Sequence, residues 1–144
     1  MQYLDLSYNH FNNPKNLEWL SQLSSLKYLG MGGINLSKFN NWLQIVNKIP
    51  YLTSLFLENC NLANIFSVPL ANSSTSLDAL YLPYNGLTSS SSVLEWLFNY
   101  NTSVVELYLF GNQFQDMIPN AFTLRQKMFI TTKKMVGITL KSLQ

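Results

Sequence analysis

The sequence predicts an α/β solenoid of about five coils, with short parallel strands on the concave face and short helices or 3₁₀ turns on the convex side. The first observation is a run of apolar residues at intervals of three, two, three and two, which occurs five times with starts 25, 26, 25 and 27 residues apart. The second is the composition, because Leu, Asn and Ser supply 25, 17 and 16 of the 144 residues. The third is the helix-like spacing of apolar residues between the runs. Repetition at this period is typical of a chain that stacks one coil on the next.

Each apolar run predicts one short strand. The second and third positions of a run are separated by one outward residue, as in a half-buried strand. A strand this short buries little by itself, so we expect the core to form from ladders of inward side chains on strands about 4.8 Å apart. The runs are Met1-Leu4-Leu6-Asn9-Phe11, Leu26-Leu29-Met31-Ile34-Leu36, Leu52-Leu55-Leu57-Cys60-Leu62, Leu77-Leu80-Leu82-Asn85-Leu87 and Val104-Leu107-Leu109-Asn112-Phe114.

The fourth position of a run predicts a structural polar ladder at Asn9, Cys60, Asn85 and Asn112. Here the chain turns away from its strand and leaves backbone groups without ladder partners. An Asn amide carries both a donor and an acceptor, so it can satisfy such groups in neighbouring coils. Cys60 is the only cysteine, which excludes an internal disulfide and a Cys-rich metal site. We interpret it as a small buried residue with a weak S–H donor rather than as a reactive thiol.

The segments between the strands predict short helices or 3₁₀ turns. They are "NLEWLSQL", "NWLQIVNKI" and "VLEWLFN", in which apolar residues recur every three or four positions. Trp19, Trp42 and Trp96 are interpreted as core packing rather than as a metal or cofactor site.

The outward residues of the strands form the face that solenoids of this kind usually use for binding. One column reads Asp5, Gly30, Phe56, Tyr81 and Tyr108, and we expect its three aromatic residues to stack in successive coils. Two interpretations stay open: a strip of exposed aromatic rings that binds a partner, or rings that only shield the sheet. The predicted ligand-binding residues are Tyr3, Tyr28, Phe56, Glu58, Tyr81, Tyr108 and Phe110.

Three N-glycosylation sequons begin at Asn35, Asn72 and Asn101, and none has proline in the middle. All three fall outside the buried ladder, on turns or convex segments. We expect them to be glycosylated in a secreted full-length relative.

The repeats resemble those of the plant extracellular leucine-rich-repeat family, whose strand consensus LxxLxLxxNxL is followed by LxGxIP. "LYLFGNQFQDMIP", residues 107–119, follows that consensus, with Asp116 where the family usually has Gly. "LEWLSQLSSLKYLGMGGINLS" and "NWLQIVNKIPYLTSLFLENCNL" are similar to plant receptor-like proteins, particularly the group that includes fungal-xylanase receptors. The resemblance implies a plasma-membrane or extracellular immune receptor without a kinase, which binds a protein or peptide elicitor and signals through partner receptor kinases.

Other classes of function have little support in the sequence. The chain carries a net charge of +2, but residues 1–119 combine seven acidic residues with four lysines, so we predict no nucleic-acid partner. The chain shows no secretory signal and no apolar run of membrane-spanning length. His10 is the only histidine, and no pattern ties it to a triad or a metal site. We therefore predict no enzyme activity and no cofactor.

The predicted organisation is five leucine-rich repeats in residues 1–119 and an off-pattern basic tail in residues 120–144. The tail has five basic residues, no acidic one and no leucine spacing, so we expect no sixth coil and an open edge at the fifth strand. Its departure from the repeat frame favours a truncated piece of a receptor. Two alternatives are a secreted inhibitor of a pathogen cell-wall hydrolase and a non-functional gene fragment.

Overall fold

The computed structural model describes residues 1–10, 16–39, 41–62, 76–88 and 104–113, together with the backbone of 127–129. In this part of the chain six strands form one sheet, and each strand pairs in parallel with the next one along the chain. The strands are β1 Tyr3–Asp5, β2 Tyr28–Gly30, β3 Ser54–Phe56, β4 Ala79–Tyr81, β5 Glu106–Tyr108 and β6 Lys127–Phe129. The predicted α/β solenoid is confirmed.

The leucine ladder lies in register across the sheet. Leu4, Leu29, Leu55, Leu80 and Leu107 pair in succession as the middle residues of β1 to β5. All of these leucines except Leu4 are fully buried, and the core that they join is continuous from the second coil to the fifth. Leu4 and Leu6 are only partly buried, because the first coil is covered from one side. Each coil therefore depends on its neighbours to bury its apolar face.

The convex side carries short helical elements, as predicted for two of the three segments. A first 3₁₀ helix spans Glu18–Gln22, a second spans Leu36–Lys38, and α1 spans Trp42–Asn47. The indole of Trp42 is 1% exposed and belongs to the core, whereas Trp19 is 44% exposed. The expectation of core packing is thus wrong for Trp19, which lies on the outer side of its 3₁₀ helix. Trp96 and its segment lie outside the described residues.

The turn after each strand has a left-handed residue at one equivalent position, and the third and fourth coils have a second one at Asn61 and Gly86. The φ angles are positive at Tyr8, Gly33, Asn59, Tyr84 and Gly111, which occupy equivalent positions in the five coils. Where this residue is Tyr8 or Tyr84, the equivalent residue of the next coil is a glycine, Gly33 or Gly111. The tyrosine ring lies against that glycine. A Cβ atom at Gly33 would lie 2.8 Å from Cδ1 of Tyr8, so a larger residue would collide with the ring.

The expectation that the sheet ends at β5 is wrong. Lys127–Phe129 forms β6 and pairs in parallel with Glu106–Tyr108, with Met128 in register with Leu107. Strand pairing uses backbone groups, so it does not require the leucine spacing of the earlier coils. The spacing between the paired ladder positions, Leu107 and Met128, is 21 residues. This is shorter than the period of the first five runs, so the period did not predict β6.

Candidate functional site

An aromatic ridge of five rings, Tyr3, Tyr28, Phe56, Tyr81 and Tyr108, crosses the concave face. The ring centroids of Phe56 and Tyr81 are 3.8 Å apart, and those of Tyr81 and Tyr108 are 4.1 Å apart, both pairs stacked nearly parallel. Tyr3 and Tyr28 stack in the same way at 4.1 Å. The sequence placed the last three residues in one column, and the structure joins Tyr3 and Tyr28 to the same stack.

The ridge changes column between β2 and β3. Tyr28 pairs in register with Ser54, yet its ring lies 4.8 Å from that of Phe56, tilted by 33°. The reason is Gly30, which pairs with Phe56 but has no side chain to offer. The space above Gly30 is occupied by the neighbouring carboxylate instead, since a Cβ atom there would lie 2.5 Å from Oδ1 of Asp5.

A groove of about 400 Å³, here called the glycine groove, lies beside the ridge at the second coil. Gly32 lines it and stands where the next coil carries Glu58, while the Asp5 carboxylate lies over Gly30. This groove was not predicted from the sequence, although "GMGGI" carries three glycines at outward or turn positions. The groove is lined by Asp5, Ser7, Tyr8, Tyr28, Gly32, Phe56, Glu58, Tyr81, Pro83 and Phe110.

Two carboxylates stand on opposite sides of the glycine groove, and each interacts with neutral groups. Oδ1 of Asp5 accepts a hydrogen bond from the backbone N–H of Ser7 at 2.9 Å. Hydrogen bonds from the Ser7 side chain and backbone lower the pKa of Asp5. A hydrogen bond to Glu58 raises the pKa of Tyr8, so the phenol stays protonated beside the Glu58 carboxylate. Both walls of the groove can therefore attract a cation.

Burial within the ridge raises the pKa of Tyr28 and of Tyr81 to about 12. In each case the main cause is desolvation, followed by a hydrogen bond to a neighbouring phenol, Tyr3 for Tyr28 and Tyr108 for Tyr81. Tyr28 and Tyr81 therefore stay uncharged through the physiological range. It presents apolar ring surface with phenol hydroxyls at its edge.

Asn112 and Asn85 bridge successive coils. Oδ1 of Asn112 accepts hydrogen bonds from the backbone N–H groups of Asn85 and Leu87, at 2.9 and 3.0 Å. Its Nδ2 donates to the carbonyl oxygens of Leu82 and Leu109, at 2.8 and 2.9 Å. Asn85 repeats the arrangement one coil earlier, accepting from the backbone of Cys60 at 2.7 Å. One side chain thus satisfies backbone groups of two coils.

Cys60 follows the same geometry with a thiol. Its Sγ donates to the carbonyl oxygens of Met31 and Glu58, at 3.1 and 3.4 Å, as Nδ2 of Asn85 donates to those of Leu57 and Pro83. The side chain is fully buried, and burial raises the pKa of the Cys60 thiol to about 12. A group this far from ionisation is suited to packing and not to nucleophilic chemistry.

We therefore expect the Cys60 thiol to resist modification in the folded chain. With a pKa of about 12, roughly one thiol in 10⁴ is ionised at pH 8, and burial blocks access to that fraction. Absorbance after addition of Ellman's reagent should show slow release of thionitrobenzoate in native buffer and immediate release in guanidinium chloride. Equal rates under the two conditions would contradict this environment.

Asn9 differs from the other predicted ladder positions. It is exposed, and its Nδ2 donates to the carbonyl oxygens of Leu6 and Ser7 in its own coil, at 3.1 and 3.3 Å. Asn85 and Asn112 bond to backbone groups of the preceding coil, whereas these two bonds of Asn9 stay within its own turn. Asn9 therefore stabilises its own turn.

The remaining predicted site residues lie apart from the ridge. Phe110 meets Tyr84 edge to face at 5.5 Å, so it belongs to a separate aromatic pair that the sequence analysis missed. Asn35 is exposed, and its Oδ1 accepts from the backbone N–H and the hydroxyl of Ser37, at 3.1 and 2.6 Å. Asn72 and Asn101 lie outside the described residues, and glycosylation stays a prediction at all three sequons.

The described residues contain neither a metal-binding cluster nor a membrane-spanning helix. No group of three or more His, Cys, Asp or Glu side chains there is placed to hold a metal ion. None of the helices in the same part of the chain has the length and hydrophobicity needed to cross a membrane.

Stacked coils, buried leucine ladders and bridging asparagines together define a leucine-rich-repeat protein. A family model described as Leucine Rich Repeat matches residues 1–23. Receptor-like protein EIX1 of Solanum lycopersicum is 40% identical over 125 residues, which are 85% of the chain and 12% of that relative. Receptor-like protein EIX2 of the same species is 40% identical over 85 residues, which are 57% of the chain and 8% of that relative.

The chain is thus a leucine-rich-repeat protein of the plant receptor-like type. It spans about a tenth of the length of these two relatives. The activity and partners of the whole relatives are therefore a matter for proposal.

Proposed function

We propose that the chain is a recognition module that binds a protein or peptide along the aromatic ridge and has no enzyme activity. The observation that carries the proposal is the unbroken stack of five rings on the concave face. Tyrosine is enriched among the residues that contribute most to binding, because it offers a large rigid apolar surface with a polar tip.

The dimensions of the ridge favour an extended segment as the ligand. The five strands that carry the rings span four strand spacings, about 19 Å at 4.8 Å each. An extended chain advances about 3.3 Å per residue, so about six residues can lie along the ridge. Tyr3 is 60% exposed at one end, and the other four rings are half-buried by their neighbours in the stack. The exposed ring edges then offer a nearly flat apolar track with hydroxyl groups beside it.

In the context of a receptor-like protein, the same surface would perceive a pathogen elicitor, and the signal would pass through a partner receptor kinase. The similarity to two proteins named as receptor-like supports this part of the proposal. Binding to this surface is favoured because the rigid sheet already holds the rings in place, so that no side-chain entropy is lost when a ligand binds.

Tyr108→Ala tests the proposal, since Tyr108 ends the ridge of described rings and does not line the glycine groove. A phage-displayed library of random peptides is selected on the full 144-residue chain, and a purified fungal xylanase serves as a folded probe. We expect Tyr108→Ala to weaken the selected ligands by at least about tenfold in surface plasmon resonance, as for an aromatic hot spot.

Tyr51→Ala is the matched control, because Tyr51 is 63% exposed and lies between α1 and β3, away from the ridge. It should leave binding unchanged. Melting temperatures of both variants show whether the fold is retained. Ligands that bind Tyr108→Ala as tightly as the parent chain would overturn the proposed use of the ridge.

A further inference from the structure

The glycine groove is shaped to receive one side chain from a bound ligand. The backbone of Gly32, which has no side chain, lines the groove, and the Asp5 carboxylate lies over the neighbouring Gly30. Asp5 and Ser7 stand on the side of the first coil, while Phe56 and Glu58 stand on the side of the third. A ligand segment that follows the ridge must therefore pass this hollow.

The lining of the groove includes a tyrosine, Tyr8, that reaches across the second coil. The Tyr8 ring lies against Gly33, and its hydroxyl interacts with the Glu58 carboxylate. On the other side, Oγ of Ser7 accepts a hydrogen bond from the backbone N–H of Gly32 at 2.9 Å. These contacts hold both walls in place without filling the space between them, so the groove is already formed before a ligand enters.

The charged side chains that line the groove all carry negative charge. Among the described residues, its lining includes two carboxylates and no lysine or arginine. Neither carboxylate takes part in an ion pair within the described residues, where the ion pair found is Lys48–Glu18 at 3.8 Å on the convex side. The hydrogen-bond partners of Asp5 and Glu58 are the neutral groups of Ser7 and Tyr8, which leave the negative charge in place.

Aromatic rings complete the environment. Tyr28 and Phe56 line the groove, and their centroids are 4.8 Å apart where the ridge changes column. A cation near an aromatic face is attracted to it, and a guanidinium group can also stack on it. An acidic side chain would instead meet two like charges.

We propose that the glycine groove binds the cationic side chain, lysine or arginine, of a basic peptide segment that lies on the aromatic ridge. This inference rests on the proposed function, and it specifies the ligand that the concave face selects. The ring stack supplies apolar contact along the segment. The groove supplies charge recognition at the end of the ridge that is nearer the first coil.

The direct test uses two small probes that differ in charge and hardly in shape. ¹⁵N-labelled chain is titrated with Nα-acetyl-arginine methylamide and, separately, with the citrulline analogue. We expect the arginine probe to shift the amide signals of Gly30 and Gly32 in a saturable way, and the citrulline probe to bind at least about fivefold more weakly. Equal shifts with both probes, or shifts confined to other residues, would overturn the proposal.

Glu58→Gln removes one charge from the groove and keeps the shape of the side chain. We expect it to weaken the arginine probe by at least about threefold. Glu18→Gln is the matched control, with the same change of charge on the convex side, and should have no effect. Retention of the amide spectrum shows that both variants are folded. An equal effect of the two substitutions would point to general charge attraction and contradict a site.

The peptides selected for the ridge provide an independent readout. Sequences that require Tyr108 should be enriched in lysine or arginine near one end, and Glu58→Gln should weaken them. Peptides that require Tyr108 but show no basic residue and no response at Glu58 would refute the groove while leaving the proposed function intact. If neither Tyr108→Ala nor Glu58→Gln weakened binding, the groove proposal and the proposed function would both be refuted.

A variant with both Lys133→Gln and Lys134→Gln tests whether the chain's own tail occupies the groove. If the amide signals of Gly30 and Gly32 moved in this variant without any probe, the tail would be the occupant, which also contradicts an external ligand.

Discussion

Replacing Asn112 with alanine is expected to lower the free energy of unfolding by about 1–3 kcal/mol. The substitution removes four hydrogen bonds at once, two accepted by Oδ1 and two donated by Nδ2. The backbone N–H of Asn85 and the carbonyl oxygen of Leu82 then lose these partners at a buried position. Buried polar groups without partners cost more than the net value of the bonds that they lose. Urea denaturation followed by circular dichroism measures the loss.

Asn9→Ala is the matched control. Asn9 holds the equivalent position of the first coil but is exposed and bonds only to Leu6 and Ser7. We expect it to cost less than about 0.5 kcal/mol, as most surface substitutions do. The bridging role would be refuted if both substitutions had the same small effect, below about 0.5 kcal/mol.

Leu80→Ala is expected to have the largest effect, a loss of about 2–5 kcal/mol in the free energy of unfolding. Leu80 is fully buried in β4, and it pairs in register with Leu55 on one side and Leu107 on the other. Truncation leaves a cavity between two coils, and the regular stacking of the sheet prevents the neighbours from collapsing into it. The loss therefore includes contacts with both adjacent coils.

Val105→Ala provides the comparison for Leu80→Ala. Val105 lies just before β5 and is 41% exposed, so its truncation removes little buried surface. We expect a change of less than about 0.5 kcal/mol in the same urea experiment. If Leu80→Ala were no more destabilising than Val105→Ala, the leucine ladder would not be the source of coil cohesion.

The strands and the ladder could be predicted because one pattern recurs five times. Leu29, Leu55, Leu80 and Leu107 share a position in the pattern, and parallel stacking then places them in one buried row. The same reasoning placed Phe56, Tyr81 and Tyr108 in one column. Position in a repeat determines the face of the sheet on which a side chain lies, which is sufficient for these residues.

Other features depend on properties that the pattern does not contain. The joining of Tyr28 to Phe56 depends on the direction that a ring takes when Gly30 leaves space beside it. The glycine groove depends on another missing side chain, that of Gly32. The pairing of β6 depends on backbone groups, which are the same for every residue other than proline. A pattern of side chains therefore left these three features undetermined.

The ring stack gives this protein an optical signature of its own assembly. Aromatic rings held face to face at 3.8 to 4.1 Å couple their electronic transitions, and the twist between successive coils makes the coupled bands chiral. Each ring in the stack is carried by a different coil. Near-ultraviolet circular dichroism therefore reports on contact between rings of neighbouring coils, whereas the far-ultraviolet signal reports on the backbone conformation. Separation of the coils at one point in the solenoid would divide the ring stack into shorter stacks. The coupled bands would then change before the strands themselves unfold.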